Sequence, residues 1–170
     1  MEEIWEVYDK FREKTGKVIQ RNSNERLKDG EYHLVITGII QNTKKQILIT
    51  KRKTDKPLYG GLWECTSGSV IKGETTINAT IREIYEEIGI VCEESEARFL
   101  GTIKEKDYFR DVWLFKKDIY PEEISFNDGE VVNACWVSVE KYKELIEKNI
   151  IVPSGKKIID MIERDMEVER

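Results

Sequence analysis

The stretch 68–90, GSVIKGETTINATIREIYEEIGI, decides how the rest of this chain is read. Thr75 or Thr76 is a natural helix N-cap, Gly89 a natural helix stop, and isoleucines recur between them at helical spacing. A helix over 75–88 is therefore expected, led into by a turn that contains glycine. With Glu83 placed at the origin and about 100° per residue, Glu86 and Glu87 fall within roughly 60° on either side. Ile77, Ile81, Ile84 and Ile88 cluster roughly 130° away. One face should pack on a sheet while the other is a wall of carboxylates. Like charges at these spacings repel by a few tenths of a kcal/mol each, so a bound cation would relieve the helix. Hard divalent cations prefer such oxygen donors, and they carry phosphate groups with them. Glutamates are common on solvated helix faces, so the triplet alone does not separate surface from site; the glycines and Glu74 tilt the reading towards a site.

Outward from this helix, residues 1–20 alternate apolar and polar around Ile4-Trp5-Glu6-Val7-Tyr8, with a turn signal at Thr15-Gly16-Lys17. They read as a strand or hairpin ahead of the main body. Residues 21–31 are polar and read as a loop. Strands are expected at 32–41 and 46–52, joined by the turn Asn42-Thr43-Lys44-Lys45, then a loop over 53–62 and a short strand around Trp63–Thr66. Further strands are expected at 97–105, 108–116 and about 131–138. Helices are expected at about 139–148 and, after Pro153, at 154–166. This mixed order suggests an α+β or layered α/β arrangement.

Bulk properties narrow the classes. The 170 residues fit one domain with a sizeable core. No run of apolar residues is long enough to span a bilayer, and the acidic start MEEIWEVYDK does not resemble a signal peptide. A net charge of −5 argues against holding long nucleic acid through its phosphates. A small phosphorylated substrate remains compatible, because bound cations reverse the local charge. Cys65, Cys92 and Cys135 lack metal-ligand spacing and read as reduced thiols of a cytoplasmic protein.

The central stretch resembles the Nudix box, G-x5-E-x7-R-E-U-x-E-E-x-G-U with U aliphatic. The matching residues are Gly68, Glu74, Arg82, Glu83, Ile84, Glu86, Glu87, Gly89 and Ile90. Chance agreement at the seven fixed identities lies below about 10⁻⁷ per start position. The resemblance implies a Nudix-type α/β/α sandwich around a mixed β-sheet, with an N-terminal strand or hairpin extension. It implies a single Nudix domain over 1–170, with 1–30 as the extension. It also implies a hydrolase that cleaves a diphosphate bond in a nucleoside diphosphate linked to another moiety, or in a related small diphosphate. In that family Glu83, Glu86, Glu87 and the carbonyl of Gly68 would hold Mg²⁺ (or Mn²⁺), with Glu74 and Arg82 supporting the motif. Glu130 is a candidate for the further acid that often follows the box, and an ordinary turn glutamate is the competing reading. The general base is open among Glu86, Glu87 and Glu130.

The segments EIWEVYDKFREKTGK, YHLVITGII, ILITKRK and GGLWECTSGSV resemble the branch that holds the isopentenyl-diphosphate isomerase-like hydrolases. True isomerases of this type carry a cysteine directly before the box glycine and several histidine ligands. Here Ser67 stands at that cysteine position, Ser69 stands where an isomerase has histidine, and His33 is the one histidine in the chain. Cys65, two residues before Ser67, would face the same side of a strand. Hydrolysis is therefore preferred, with an isomerase or a non-catalytic nucleotide-binding Nudix module as alternatives. His33 reads as structural. Arg52 is a candidate phosphate grip. Trp63, Tyr108, Phe109 and Trp113 are core or base-stacking residues. The expected partner is a small phosphorylated substrate, with no membrane and a possible homodimer through the hairpin.

Overall fold

In the computed structural model, residues 3–21, 23–127 and 129–168 are described. The ends of the expected 1–20 and 1–170 spans, Asn22 in the first loop and Asp128 before Glu130 lie outside the described residues. In chain order the strands are β1 (Ile4–Tyr8), β2 (Lys14–Gln20), β3 (His33–Gln41), β4 (Ile47–Arg52), β5 (Trp63–Glu64) and β6 (Thr66–Ser69). Helix α1 (Thr76–Ile88) follows, then β7 (Ala97–Lys104), β8 (Tyr108–Lys116) and β9 (Val131–Val137). Helices α2 (Val139–Glu147) and α3 (Gly155–Val168) follow β9.

The N-terminal hairpin forms, but its turn is not at Thr15-Gly16-Lys17. The chain reverses over 9–13, where the Asp9 carboxylate accepts hydrogen bonds from the backbone N–H groups of Phe11 at 2.8 Å and Glu13 at 3.0 Å. A short acidic side chain that bonds its own downstream backbone makes this tight turn without glycine. Gly16 instead lies inside β2 with φ +83°, at the irregularity where β1 and β2 slip register.

Seven strands form the main sheet. Its path runs β5-β4-β3-β8-β7, with β6 also pairing β3 and β9 also pairing β4. Strands β3 and β8 are parallel and the other pairs antiparallel, so the sheet is mixed. Along one side, β3 changes partner: Val35 to Gly38 pair with β6, and Gln41 pairs with Ile47 of β4. The sheet is split there, and the split places the segment that opens the central motif beside the middle of β3.

Two layers cover the sheet. On one face, Ile77, Ile84 and Ile88 of α1 bury against Ile40, Leu48 and Phe115. Full burial of such side chains stabilises by roughly 2–3 kcal/mol each. On the opposite face, Tyr142 of α2 and Ile158, Ile159 and Ile162 of α3 pack over Ile39, Ile47, Ile49, Val112 and Leu114. This is the expected α/β/α sandwich around a mixed sheet with a hairpin extension. None of the helices is long and apolar enough to cross a membrane among the described residues.

Candidate active site

Helix α1 begins and ends as its end residues dictate. The Thr75 side chain accepts from the N–H of Asn78 at 3.2 Å, and Gly89 closes the helix at φ 72°, its N–H bonding the Tyr85 carbonyl. The preceding loop is fixed by Arg82. Its Nε donates to Glu74 Oε1 at 2.8 Å, and its Nη2 donates to Glu74 Oε2 at 3.1 Å and to the Ser69 carbonyl at 3.1 Å. Glu74 Oε2 also accepts the N–H of Ile71 at 3.1 Å, which closes the loop on itself. Burial works against the Arg82 charge, but Glu74 and Glu83 outweigh it and raise its pKa.

The three glutamates do not form a uniform wall. Glu83 lies against β6, so closely that a Cβ built on Gly68 would stand 2.2 Å from its Oε1. Glu86 has a side chain 47% exposed, whereas Glu87 is only 3% exposed and turns inward. The electrostatic reach of Glu87 extends to Arg52 and Cys65. The positive charge among these acids is Arg82, whose Nη1 donates to Glu83 Oε1 at 2.7 Å and to Glu86 Oε2 at 3.0 Å. Among the described residues no three acidic, histidine or cysteine side chains converge on one metal-sized point. The donors are nevertheless carboxylate and carbonyl oxygens, which suits a hard divalent cation. Burial lifts the Glu83 carboxyl to about 7 against the pull of Arg82, an environment that a cation would relieve. Gly68, with no side chain, leaves that carboxylate room beside the strand. On these grounds the residues fit a divalent ion.

The other expected site residues are dispersed around this centre. The fork of Arg52 is engaged, with Nη1 on the buried Glu64 carboxylate and Nε on the Leu58 carbonyl at 3.1 Å. Glu130 pairs with Lys56 at 2.6 Å, and its carbonyl accepts the Lys53 N–H at 2.8 Å, so it stands on the loop beyond Arg52. His33 is buried and stacked under Trp5, with ring centroids 4.3 Å apart. Cys65 faces the α2–α3 core beside Tyr142, and burial pushes its thiol up to about 12, leaving it protonated at neutral pH. Trp63 packs at the edge of that same core, Phe109 is buried, and Trp113 tilts against Phe99. Sequence reading passed over Arg110, a buried arginine of β8. Its signal was a cation, next to the single acid Asp111, inside a strand whose other residues are aromatic or apolar, YFRDVWLF.

Comparison with known proteins agrees with this architecture. An uncharacterised Nudix hydrolase of Listeria monocytogenes is 36% identical over 152 residues, 89% of each chain. An isopentenyl-diphosphate Delta-isomerase of Pectobacterium atrosepticum is 42% identical over only 64 residues, 37% of this chain and 36% of that protein. The crystal structure of DR0079 from Deinococcus radiodurans superposes with a TM-score of 0.76 at 19% identity, covering 95% of this chain and 98% of that one, and so shares the fold. The NUDIX domain model matches residues 31–159, a span that takes in the Arg82–Glu74 clamp and all three helix glutamates, and the chain accordingly belongs to the Nudix hydrolase family.

Proposed function

We propose that this protein is a metal-dependent hydrolase that cleaves a diphosphate bond in a nucleoside diphosphate derivative or a related small diphosphate. The observation that carries the reading is the clamp of Arg82 on Glu74. It holds the loop of Gly68 against Glu83 and sets Glu86 on the rim of the same surface. Glu83, Glu86, Glu87 and the Gly68 carbonyl would hold Mg²⁺ or Mn²⁺. When bound, such an ion neutralises diphosphate oxygens and acidifies a water. Glu86, the most solvent-accessible of the three carboxylates, accepts the proton of the attacking water in this reading. Glu87 and Glu130 play lesser parts: one is buried and the other is paired with a lysine. Arg52 would add charge from the far side, held in place by Glu64.

Within the family we place the chain near the isopentenyl-diphosphate isomerase-like branch, which the short match to an isomerase supports. Isomerisation itself is disfavoured. Ser67 stands where that chemistry has cysteine, and Cys65 is sealed under α2 as a neutral thiol. A cytoplasmic location belongs to the same proposal.

The test is a phosphate- and pyrophosphate-release screen over nucleoside diphosphate derivatives and isopentenyl diphosphate, with Mg²⁺ or Mn²⁺. The wild type should release phosphate or pyrophosphate from at least one compound, and Glu86→Gln should lose most turnover while remaining folded. Wild-type rates in Glu86→Gln would remove Glu86 from the assignment.

A further inference from the structure

Arg110 is 9% exposed, and no carboxylate among the described residues pairs with it. Its hydrogen bonds run through one nitrogen to neutral partners: Nη1 donates to Thr37 Oγ1 at 2.8 Å, Ser67 Oγ at 3.2 Å and the Ile36 carbonyl at 3.4 Å. The Nε hydrogen is buried and finds no acceptor. Arg12, Arg52 and Arg82 each bind a carboxylate. Glu64, already bound by Arg52, attracts Arg110 only from beyond ion-pair distance. A buried cation with no carboxylate in contact is costly to the fold, and its open donors suit an anion.

The surroundings supply room for that anion. Val35 lies on a strand flanked on both sides, by β6 and β8, yet it is only partly buried. The sheet is therefore open at that point. Register puts Arg110 and Ser69 beside Val35, and Ser67 beside Thr37, so all share that open face. The same face is closed further along, where α2 and α3 cover Ile39, Val112 and Leu114. In the other direction Tyr108 stands with its ring 5.2 Å from the guanidinium. Ser67 adjoins Gly68, whose missing side chain leaves room for Glu83 on the other face of β6. The floor of this open face thus carries a guanidinium with no carboxylate in contact, and Ser67, which binds it, is the residue before the box glycine on β6.

We propose that Arg110 is a phosphate anchor of the substrate groove. Its guanidinium takes oxygens of the phosphate that stays with the departing or retained moiety, while the Thr37 and Ser67 hydroxyls hold it in place. This rests on the diphosphohydrolase reading and adds the residue that positions the substrate across the open sheet face. Planar guanidinium donors suit phosphate oxygens, and their attraction strengthens when water is excluded.

The experiment measures inorganic pyrophosphate binding by calorimetry in magnesium-free buffer, for wild type, Arg110→Met and Arg110→Lys. Thermal melting of each variant is recorded alongside. Wild type should bind. Arg110→Met should weaken binding at least about tenfold, and Arg110→Lys should recover part of it. Arg110→Met should melt at or above the wild-type temperature, because it removes an unpaired buried charge. On any diphosphate that wild type hydrolyses, Arg110→Met should raise KM about tenfold with kcat changed much less. Unchanged pyrophosphate affinity in Arg110→Met, absence of binding to wild type, or a lowered melting temperature in both variants would overturn the anchor and leave a packing residue. Pyrophosphate binding that depends on Arg110 in a protein that hydrolyses no diphosphate would sink the hydrolase reading and leave the anchor standing. Hydrolysis that persists in Arg110→Met with unchanged KM would do the reverse.

Discussion

Arg82 and Glu74 meet through two parallel hydrogen bonds, Nε to Oε1 at 2.8 Å and Nη2 to Oε2 at 3.1 Å, across eight residues of chain. The pair joins the second turn of α1 to the loop before it. Because the same guanidinium also binds Glu83 and Glu86, the geometry of the acids depends on a residue that is not one of them. Glu74→Gln keeps the shape of the side chain but removes its charge. Both partners are largely shielded from solvent, so the variant should lose about 1–3 kcal/mol of unfolding free energy. Urea denaturation measures the loss, and diphosphate turnover should fall with it. A stability within error of wild type would show that the loop is held by something else.

Gly68→Ala separates placement from stability. The new methyl would fall 2.1 Å from Glu83 Cδ, an impossible approach, so the carboxylate must swing away. That carboxylate ends a flexible side chain, so the fold should lose no more than about 1–2 kcal/mol. Activity should drop far more, on the order of a hundredfold, since displacing a reacting group by about 1 Å can cost that much. Steady-state rates beside a melting curve give both numbers. Equal falls in the two would mean that Gly68 serves only the fold.

Much of this arrangement was legible in the residues. Thr75, the spaced isoleucines and Gly89 placed α1 almost to the residue, because caps and periodicity are local physics. The N-terminal turn was misplaced because Gly16 was read as a turn residue, whereas Asp9 makes the turn and Gly16 makes a bulge. Helical angle put Glu83, Glu86 and Glu87 on one face, but it could not say that packing against the sheet would cover that face unevenly. Glu87 is thereby buried while Glu86 stays wet. The isolation of Arg110 depends on which residues lie opposite it on β3 and β6, and strand pairing over such separations leaves little trace in one sequence.

The isomerase alternative makes an opposing prediction at Cys65. If the thiol were catalytic it would have to lose its proton, yet burial holds its pKa near about 12. Cys65→Ala should therefore leave the turnover of folded protein unchanged. It should cost about 1 kcal/mol in stability from the small cavity among Tyr142 and its neighbours. Loss of turnover at unchanged stability, assayed on isopentenyl diphosphate as well as on nucleotides, would return the chemistry to the thiol.

Acid should weaken the fold through His33. Burial is the largest cause, and it lowers the imidazole pKa from 6.5 to about 4 despite the nearby Asp107. The unfolded chain then takes up this proton at a higher pH than the folded one. The stability tied to neutral His33 is therefore complete above about pH 6.5, and it is lost as pH falls from there towards 4. At about 1.4 kcal/mol per pKa unit the total is on the order of 3 kcal/mol. His33→Phe keeps a ring to stack under Trp5 and removes the titration. It sacrifices little hydrogen bonding, because Nδ1 of His33 is buried without a partner. Glu64 and Glu83 have pKa values raised by burial and contribute with the opposite sign, so the difference between the two proteins is the quantity to measure. Unfolding free energies of wild type and His33→Phe at pH 7.5 and pH 5 should diverge, with the wild type losing more by about 1–2 kcal/mol. Parallel losses would mean that the imidazole is already solvated in the folded protein and that the Trp5 stack does not seal it.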